Sequence, residues 1–432
     1  MAVNVLVFPA GTEIAFEIHA ALKHSKNVKL YGATSVPCHA EMVFKDCVEG
    51  LPFVGDPGLI DALNECIDRY GIDYVYPAHD SALLELTQQQ KRLHARVVTS
   101  DLETITLCRD KKKTYRYLNS LGAFYMPLWY EHAADVRDYP VFIKPTVGQG
   151  AEGAVRVDDL ESLCRVLSSG REYVICEYLP GQEITVDCFT DRHGALRYVG
   201  QRTRDRIRSG IAVRSHLMHL EDRVSEIAKH LNKSMSFNGA WFFQLKKDKT
   251  GYYRLMEVAP RIAGTMGLTR NTGVNMPLLT LYNMMGMDVE ILNNGSRLLL
   301  DRAFISRFKS DVEYDKVYVD FDDTLVLPDG KVNTMLLVFL YQARDDGKKL
   351  ILLSKHKGNI FDALAKSSID LNLFDAVICL NKNSSKADYI DTVFVKSILI
   401  DDSFAERKKV ADALDIPVFD LNMVESLLDW RA

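Results

Sequence analysis

Two stretches of this chain combine residue types that handle phosphate, and they lie far apart. The first is Val319-Asp320-Phe321-Asp322-Asp323-Thr324-Leu325, an apolar run ending in carboxylates at i and i+2. On a strand such residues project to the same side, so Asp320 and Asp322 meet where a buried strand gives way to a turn. Three acids this close are costly unless a divalent cation or a phosphate-handling task compensates them. One carboxylate can attack phosphorus while the other protonates the leaving oxygen and later activates water. The second stretch is Val141-Phe142-Ile143-Lys144-Pro145, running into Thr146-Val147-Gly148-Gln149-Gly150-Ala151-Glu152-Gly153-Ala154. A loop this rich in glycine brings backbone N–H groups against phosphate oxygens, with Lys144 a point charge at its root. It is not a P-loop, since G-x-x-x-x-G-K-[ST] is absent, and a plain glycine hairpin is the alternative.

Further residues extend the second stretch. Val174-Ile175-Cys176-Glu177-Tyr178-Leu179-Pro180-Gly181-Gln182-Glu183 is a strand, a turn and an acid. Its backbone can read an adenine edge, and Glu183 can accept from ribose hydroxyls. Gln244 sits on the strand Trp241–Leu245, and Glu257 closes the strand Tyr253–Val258 beside Pro260-Arg261. Two oxygen ligands on neighbouring strands suit a phosphate-bridging Mg²⁺. Between them Arg202, Arg204, Arg206 and Arg208 share one face at strand spacing, with Arg214 beyond, and guanidinium groups suit phosphates and carboxylates. A solvated basic edge strand is the plainer reading. Of these, Arg204 and Arg214 are the candidates for triphosphate and acyl-phosphate contacts, and Arg270-Asn271 for holding an acceptor.

The elements that must position these residues alternate. Strands at Val3–Phe8, Val28–Thr34, Tyr74–Pro77 and Arg96–Val98 are interleaved with helices at Glu13–His24, Leu59–Tyr70 and Ala82–Leu93, an order that favours a parallel sheet. The Pro9–Gly11 turn lacks G-x-G-x-x-G. His79 and Asp80 follow a strand at the edge where open sheets bind ligands, but a helix N-cap is the simpler role for Asp80. From Asp110 to about Arg302 the pattern is long strands and polar loops, and Asp301–Asp315 is a charged connector. Alternation resumes with strands Val317–Asp320, Lys349–Leu353, Ala376–Leu380, Ser397–Ile400 and Val418–Phe419. The helices among them are Met335–Asp345, Ile360–Leu364, Lys386–Val393 and Phe404–Leu414.

The 432 residues are 47% hydrophobic and 26% charged, with a net charge of −5, which fits more than one soluble domain. Nothing there favours nucleic acid or an acidic membrane as partner, and no apolar run reaches spanning length. The start reads as a buried strand rather than a signal peptide. Eight scattered cysteines without C-x-x-C spacing read as reduced thiols in a cytoplasmic protein.

Taken as an ordered set, the residues from Met1 to about Arg302 resemble the ATP-grasp superfamily, in particular ligases similar to the carbamoyl-phosphate synthase large chain and D-alanine–D-alanine ligase. The resemblance implies a Rossmann-like pre-ATP-grasp domain over 1–105 and an ATP-grasp α+β domain over 106–305, with a mobile lid at about 115–180. It implies nucleotide contacts from Lys111 (Lys112 and Lys113 leave the register open), Lys144, the lid glycines Gly148, Gly150 and Gly153, the hinge Glu177, Tyr178 and Leu179, and Glu183. Gln244 and Glu257 would hold metal, and Arg261 would act on the transferring phosphoryl group. The family often reads Glu-x-Asn-Pro-Arg, whereas Glu257-Val258-Ala259-Pro260-Arg261 has alanine at the asparagine, which removes one metal ligand.

The C-terminal segment, 312–432, resembles the haloacid dehalogenase superfamily, a Rossmannoid α/β fold, here with a minimal cap. The resemblance makes Asp320 the nucleophile, Asp322 the general acid/base, Ser354 a phosphoryl contact and Lys386 (or Lys382) the cation that neutralises the intermediate. Asp320, Asp322 through its carbonyl, and Asp401 or Asp402 would hold the metal. The chain as a whole reads as a bifunctional enzyme. An ATP- and Mg²⁺-dependent ligase (Mn²⁺ can substitute) would join a carboxylate to an amine through an acyl phosphate, beside a phosphatase for a phosphorylated metabolite. The alternatives are a nucleotide sensor or scaffold with a silent ligase site, and a ligase with a non-catalytic C-terminal domain. Related ligases are often homodimers.

Overall fold

Val3–Phe8 alternates Val5 and Val7 with Leu6 and Phe8, all fully buried, so this strand needs cover on both faces. In the computed structural model, which describes residues 2–148, 150 and 152–431, it receives that cover. Val5 and Val7 join one apolar core with Ile14, Ile18 and Leu22, while Leu6 and Phe8 join another with Leu59, Leu63 and Ile67. The strand is β1 of a parallel sheet with β2 (Val28–Ala33), β3 (Cys47–Val48), β4 (Tyr74–Pro77) and β5 (Arg96–Val97), ordered β3-β2-β1-β4-β5. The helices are α1 (Glu13–Leu22), α2 (Leu59–Tyr70), α3 (Asp80–Gln88), α4 (Leu102–Arg109) and α5 (Lys111–Ser120). Gly71 ends α2 in the left-handed conformation, at φ 60°, a geometry glycine adopts without strain.

Three antiparallel sheets follow. One orders β6 (Trp129–Tyr130), β7 (Val141–Pro145), β8 (Val155–Val157) and β9 (Tyr173–Glu177) as β6-β9-β7-β8, beside α6 (Leu160–Leu167). The next four strands are β10 (Glu183–Thr190), β11 (Leu196–Thr203), β12 (Arg206–Arg208) and β13 (Ile211–His216), followed by α7 (Asp222–Ser234). Then come β14 (Gly239–Lys247), β15 (Tyr253–Ala259), α8 (Gly267–Arg270), α9 (Met276–Met284) and β16 (Leu299–Asp301). The larger of the sheets they build runs β11-β10-β14-β15, and β12-β13-β16 forms a small separate sheet. The period of two sorts the larger sheet. Ile184, Val186 and Cys188 face the core that α7 covers with Val224, Ile227 and Leu231, and the intervening residues face the other way.

Residues Met1–Phe304 form one compact unit and Ile305–Ala432 another. In the second, β17 (Lys316–Val319), β18 (Lys349–Ser354), β19 (Ala376–Cys379), β20 (Ser397–Ile400) and β21 (Val418–Phe419) form a parallel sheet ordered β19-β18-β17-β20-β21. Its helices are α10 (Thr334–Asp345), α11 (Ile360–Lys366) and α12 (Phe404–Leu414).

Several expectations need correction. The helix expected over Ala82–Leu93 is α3, which starts at Asp80 and stops at Gln88. His79, not Asp80, is its N-cap, accepting from the Ser81 N–H at 3.2 Å. The helix expected over Lys386–Val393 is a single 3₁₀ turn, Lys386–Tyr389. Its continuation is blocked because the Asp391 N–H donates to Tyr318 Oη and the Asp391 carbonyl accepts from Ser397. The arginine stripe does not form, since β11 ends at Thr203 and Arg206–Arg208 belongs to another sheet. Arg206 and Arg208 lie exposed on β12, an edge strand, as the plainer reading has it, but Arg202 does not. Arg202 is 1% exposed and forks onto Asp187 at 2.9 and 3.0 Å, Arg206 and Arg214 both bind Asp301, and Arg208 lies over the Phe304 ring.

Candidate functional site

The polar face of the β11-β10-β14-β15 sheet carries one row of side chains across four strands. Arg202 pairs with Thr185, Thr185 with Gln244, and Gln244 with Glu257. Directly opposed residues on antiparallel strands share a face, so the two expected metal ligands are neighbours. Thr185 and Asp187, which support the row, were not anticipated. The Thr185 hydroxyl and Arg202 Nη1 are buried without a hydrogen-bond partner, and the row therefore keeps unused polar capacity beside Gln244 and Glu257.

A bulge beside this row places Lys144. The β14–β15 register slips after Gln244, leaving Met256 unpaired between Glu257 and Leu255. Lys144 Nζ donates to the Met256 carbonyl at 2.7 Å and to Tyr115 Oη at 2.8 Å, and Tyr115 donates to the Leu255 carbonyl at 3.0 Å. Lys144 is thus a buried cation held by neutral partners rather than an open charge at a loop root, and burial pulls its pKa below the usual lysine range. Tyr115, which the sequence did not single out, is almost fully buried, and burial drives its phenol well above its ordinary pKa.

Two cavities flank this lysine–bulge contact. The larger, about 540 Å³, is lined by Lys111, Arg109, Gly148, Gly150, Glu257 and Arg261. The smaller, about 350 Å³, lies among Phe142, Lys144, Glu177, Tyr178, Leu179 and Met256. Among Lys111–Lys113, Lys111 Nζ donates to the Gly148 carbonyl at 3.2 Å, as does Arg109, while Lys112 turns to Glu131. The glycine loop joins β7 to β8, and Gly150 (φ 58°) and Gly153 (φ 71°) take the left-handed backbone that side chains disfavour. Gln149 and Ala151 of that loop lie outside the described residues.

Several charged groups near the cavities are held by partners. Glu183 lies 2.7 Å from Arg204 Nε and 3.8 Å from Lys246, and burial lowers the pKa of Arg204. Glu177 accepts from the Leu128 N–H at 2.8 Å, and Tyr178 packs under Arg156. Arg261 is gripped by both oxygens of Asp80, at 2.7 and 2.8 Å. Burial opposes ionisation of Asp80, yet the Arg261 guanidinium holds its pKa down at about 2. Ala259 sits two residues beyond Glu257 opposite Phe242 and offers no side-chain ligand. Arg214 lies in the small sheet on Asp301, and Arg270 is taken by Glu17 at 2.8 Å.

In the second unit the acids converge at the carboxyl ends of the central strands. Asp320 follows β17, Asp401 follows β20 and Ser354 ends β18, with its buried hydroxyl against Asp320. Lys386 Nζ lies 2.9 Å from Asp320 and 2.5 Å from Asp401. Asp402 accepts from the Thr324 hydroxyl at 3.0 Å. Burial raises the pKa of Asp320, and although burial opposes it, the two carboxylates hold Lys386 above the usual lysine value. Ligand atoms of Asp320, Asp401 and Asp402 lie within 4.8 Å of one another. Lys386 pairs with Asp320 and Asp401, and Asp402 adds a third carboxylate beside them, an excess of negative charge that a divalent cation would balance. Asp322 is apart from this group, half-exposed, with His356 Nδ1 at 2.9 and 3.0 Å from its two oxygens. His356 was missed, although its i+2 spacing from Ser354 was the available signal.

With this geometry established, known proteins can be set beside it. A family model described as ATP-grasp in the biosynthetic pathway with Ter operon matches residues 169–298. The carbamoyl phosphate synthase large chain of Thermoanaerobacter pseudethanolicus is 23% identical over 239 residues, 50% of this chain. The chain spans only 22% of that relative's length. Among solved structures, a biotin carboxylase–β,γ-ATP complex from Campylobacter jejuni is similar with TM-score 0.56 and 15% identity, covering 68% of this chain and 73% of that one. N5-carboxyaminoimidazole synthetase from Staphylococcus aureus complexed with ADP gives 0.56 and 13%, over 69% and 81%. The L-amino acid ligase of Bacillus licheniformis gives 0.51 and 20%, over 66% and 74%. These likenesses, which cover about two thirds of the chain, show a mixed α/β fold with ATP-grasp-like structural neighbours. Among the described residues no helix is long and apolar enough to cross a membrane, and all eight cysteines are free.

Proposed function

We propose that the first unit is an ATP-dependent carboxylate–amine ligase working through an acyl phosphate. The observation that carries this reading is Glu257, the cross-strand neighbour of Gln244, lining the same cavity as Lys111, Gly148 and Arg261. The smaller cavity, with apolar Phe142, Leu179 and Met256, suits a planar base, and Lys144 lies at its junction with the phosphate side. Its neutral partners leave its charge available to phosphate oxygens. Gln244 and Glu257 would hold Mg²⁺, which would supply charge neutralisation on the triphosphate. The γ-phosphoryl group passes to a substrate carboxylate, ADP leaves, and an amine then displaces phosphate from the acyl carbon. Arg261, held in place by Asp80, meets the charge that builds on the transferring group. The substrates are small molecules, and the free thiols fit a reducing, cytoplasmic setting.

We infer that the second unit is a phosphomonoester hydrolase. This rests on the Asp320–Ser354–Lys386–Asp401 cluster alone. Asp320 attacks phosphorus and forms an aspartyl phosphate. Lys386 and Ser354 hold the phosphoryl oxygens, and Asp322 gives a proton to the leaving oxygen and later takes one from the attacking water. Asp320, Asp401 and Asp402 would hold Mg²⁺, which would offset the charge of the phosphoryl group.

The ligase reading is tested by assaying ADP and phosphate release from Mg-ATP across paired carboxylates and amines, with Asp320→Asn used to silence background hydrolysis, and the hydrolase reading by comparing phosphate release from phosphomonoesters by the parent and by Asp320→Asn. ADP formation that needs both partners supports the ligase. Bound ATP without turnover under every pairing would replace it with a nucleotide sensor, a reading that Ala259 favours.

A further inference from the structure

We propose that His356 is a positioning residue that orients Asp322 toward the leaving group, a role that rests on the phosphatase reading above. Asp322 is 51% exposed, so without a partner its carboxyl group would rotate among several orientations. His356 Nδ1 lies at 2.9 and 3.0 Å from the two oxygens. The imidazole is itself fixed. It is 18% exposed, its ring meets Phe321 edge-on at 5.2 Å, and its carbonyl accepts from Cys379 Sγ at 3.7 Å. Phe321 is buried and lies between Asp320 and Asp322 in sequence, so the ring that steadies His356 is anchored beside the nucleophile.

An ionised carboxylate can only accept, so Nδ1 carries the hydrogen in that state. The same arrangement serves when Asp322 is protonated, with one oxygen accepting from Nδ1–H while the other carries the proton toward the leaving oxygen. As the bond between phosphorus and the leaving oxygen breaks and the Asp320–phosphorus bond forms, that proton moves to the leaving oxygen. The carboxylate stays held by Nδ1–H and later receives a proton from the water that attacks the aspartyl phosphate. His356 neither gains nor loses a proton in this sequence. Pre-orienting the acid removes rotational freedom that would otherwise be lost at the transition state.

The test compares two esters on the full chain. p-Nitrophenyl phosphate releases an anion that needs no proton, whereas an alkyl phosphomonoester needs one, so a defect in Asp322 appears on the second only. His356→Ala is expected to lower kcat on the alkyl ester about 10- to 100-fold with KM little changed, and to alter p-nitrophenyl phosphate turnover less than about threefold. His356→Asn, which restores an N–H donor, is expected to recover most of the loss. Equal losses on both esters, or no rescue by asparagine, would overturn this proposal while leaving the phosphatase reading intact. No turnover of either ester by the unmodified chain would overturn both.

Discussion

One chain contains two five-stranded parallel sheets with the same strand order. In β3-β2-β1-β4-β5 and β19-β18-β17-β20-β21 the strand reversal falls between the first and fourth strands of each set, where open sheets form a crevice at their carboxyl ends. The two crevices are filled differently. In the first unit the Thr12 hydroxyl bonds the Ala78 carbonyl at 2.9 Å across the gap and also caps α1, while Asp80 reaches away to grip Arg261. In the second, Asp320 and Asp401 face each other across the gap with only Lys386 between them. The first edge is closed, its Asp80 buttressing Arg261, and the second is charged, with Asp320 and Asp401 both on Lys386. On the functions proposed above, identical topology serves support in one case and a reactive cluster in the other, because function follows the side chains placed at the edge.

The comparison breaks most readily at Asp320. Asp320→Asn should lower phosphate release from phosphomonoesters about 10⁴-fold or more, with a melting temperature close to the parent's, since the change relieves like-charge crowding. An unchanged rate would mean the second edge is as structural as the first. Next comes the antiparallel row. Glu257→Gln should lower ADP formation about 10²- to 10³-fold, whereas Thr12→Val on the first edge should leave turnover within about threefold. A large loss from Thr12→Val would place chemistry at the closed edge.

A smaller effect sharpens the buttress. The folded pKa of Asp80 is depressed to about 2, so its stabilisation is present above the unfolded value near 3.8 and is lost as pH falls through 2. The shift corresponds to about 2 kcal/mol at neutral pH. Denaturant titrations of Asp80→Asn against the parent should differ by that amount at pH 7 and converge near pH 2. A constant gap would refute the linkage. The smallest effect is Thr12→Ala, which removes the α1 cap and should cost about 1 kcal/mol in the same titrations.

Much of this was legible in the residues themselves. The strands Val3–Phe8, Tyr74–Pro77 and Ser397–Ile400 and the helices Leu59–Tyr70 and Phe404–Leu414 occur with the boundaries that periodicity and caps imply. The i, i+2 acids were visible as well, although Asp322 stands apart on His356 rather than beside Asp320 and Asp401. The arginine stripe misled because alternation presumes an unbroken strand, and the Thr203 hydroxyl, by accepting from the His216 N–H, helps end β11 one residue before Arg204. The burial of Lys144 was not legible, because the Met256 bulge and the Tyr115 hydroxyl that hold it come from distant segments.

What the amino-acid sequence determined by itself is local: which segments are strands or helices, where caps and left-handed glycines fall, and which residue types could meet phosphate. These follow from short-range sterics and the repeat of apolar side chains, which neighbouring residues dictate. The tertiary structure decided the partners. Arg261 finds Asp80 across 181 positions, His356 finds Asp322 across 34, and Lys111 rather than its two neighbours faces Gly148. Such pairings depend on sheet order, strand register and a single bulge, and a one-residue slip in any of them would turn the same side chains to the opposite face.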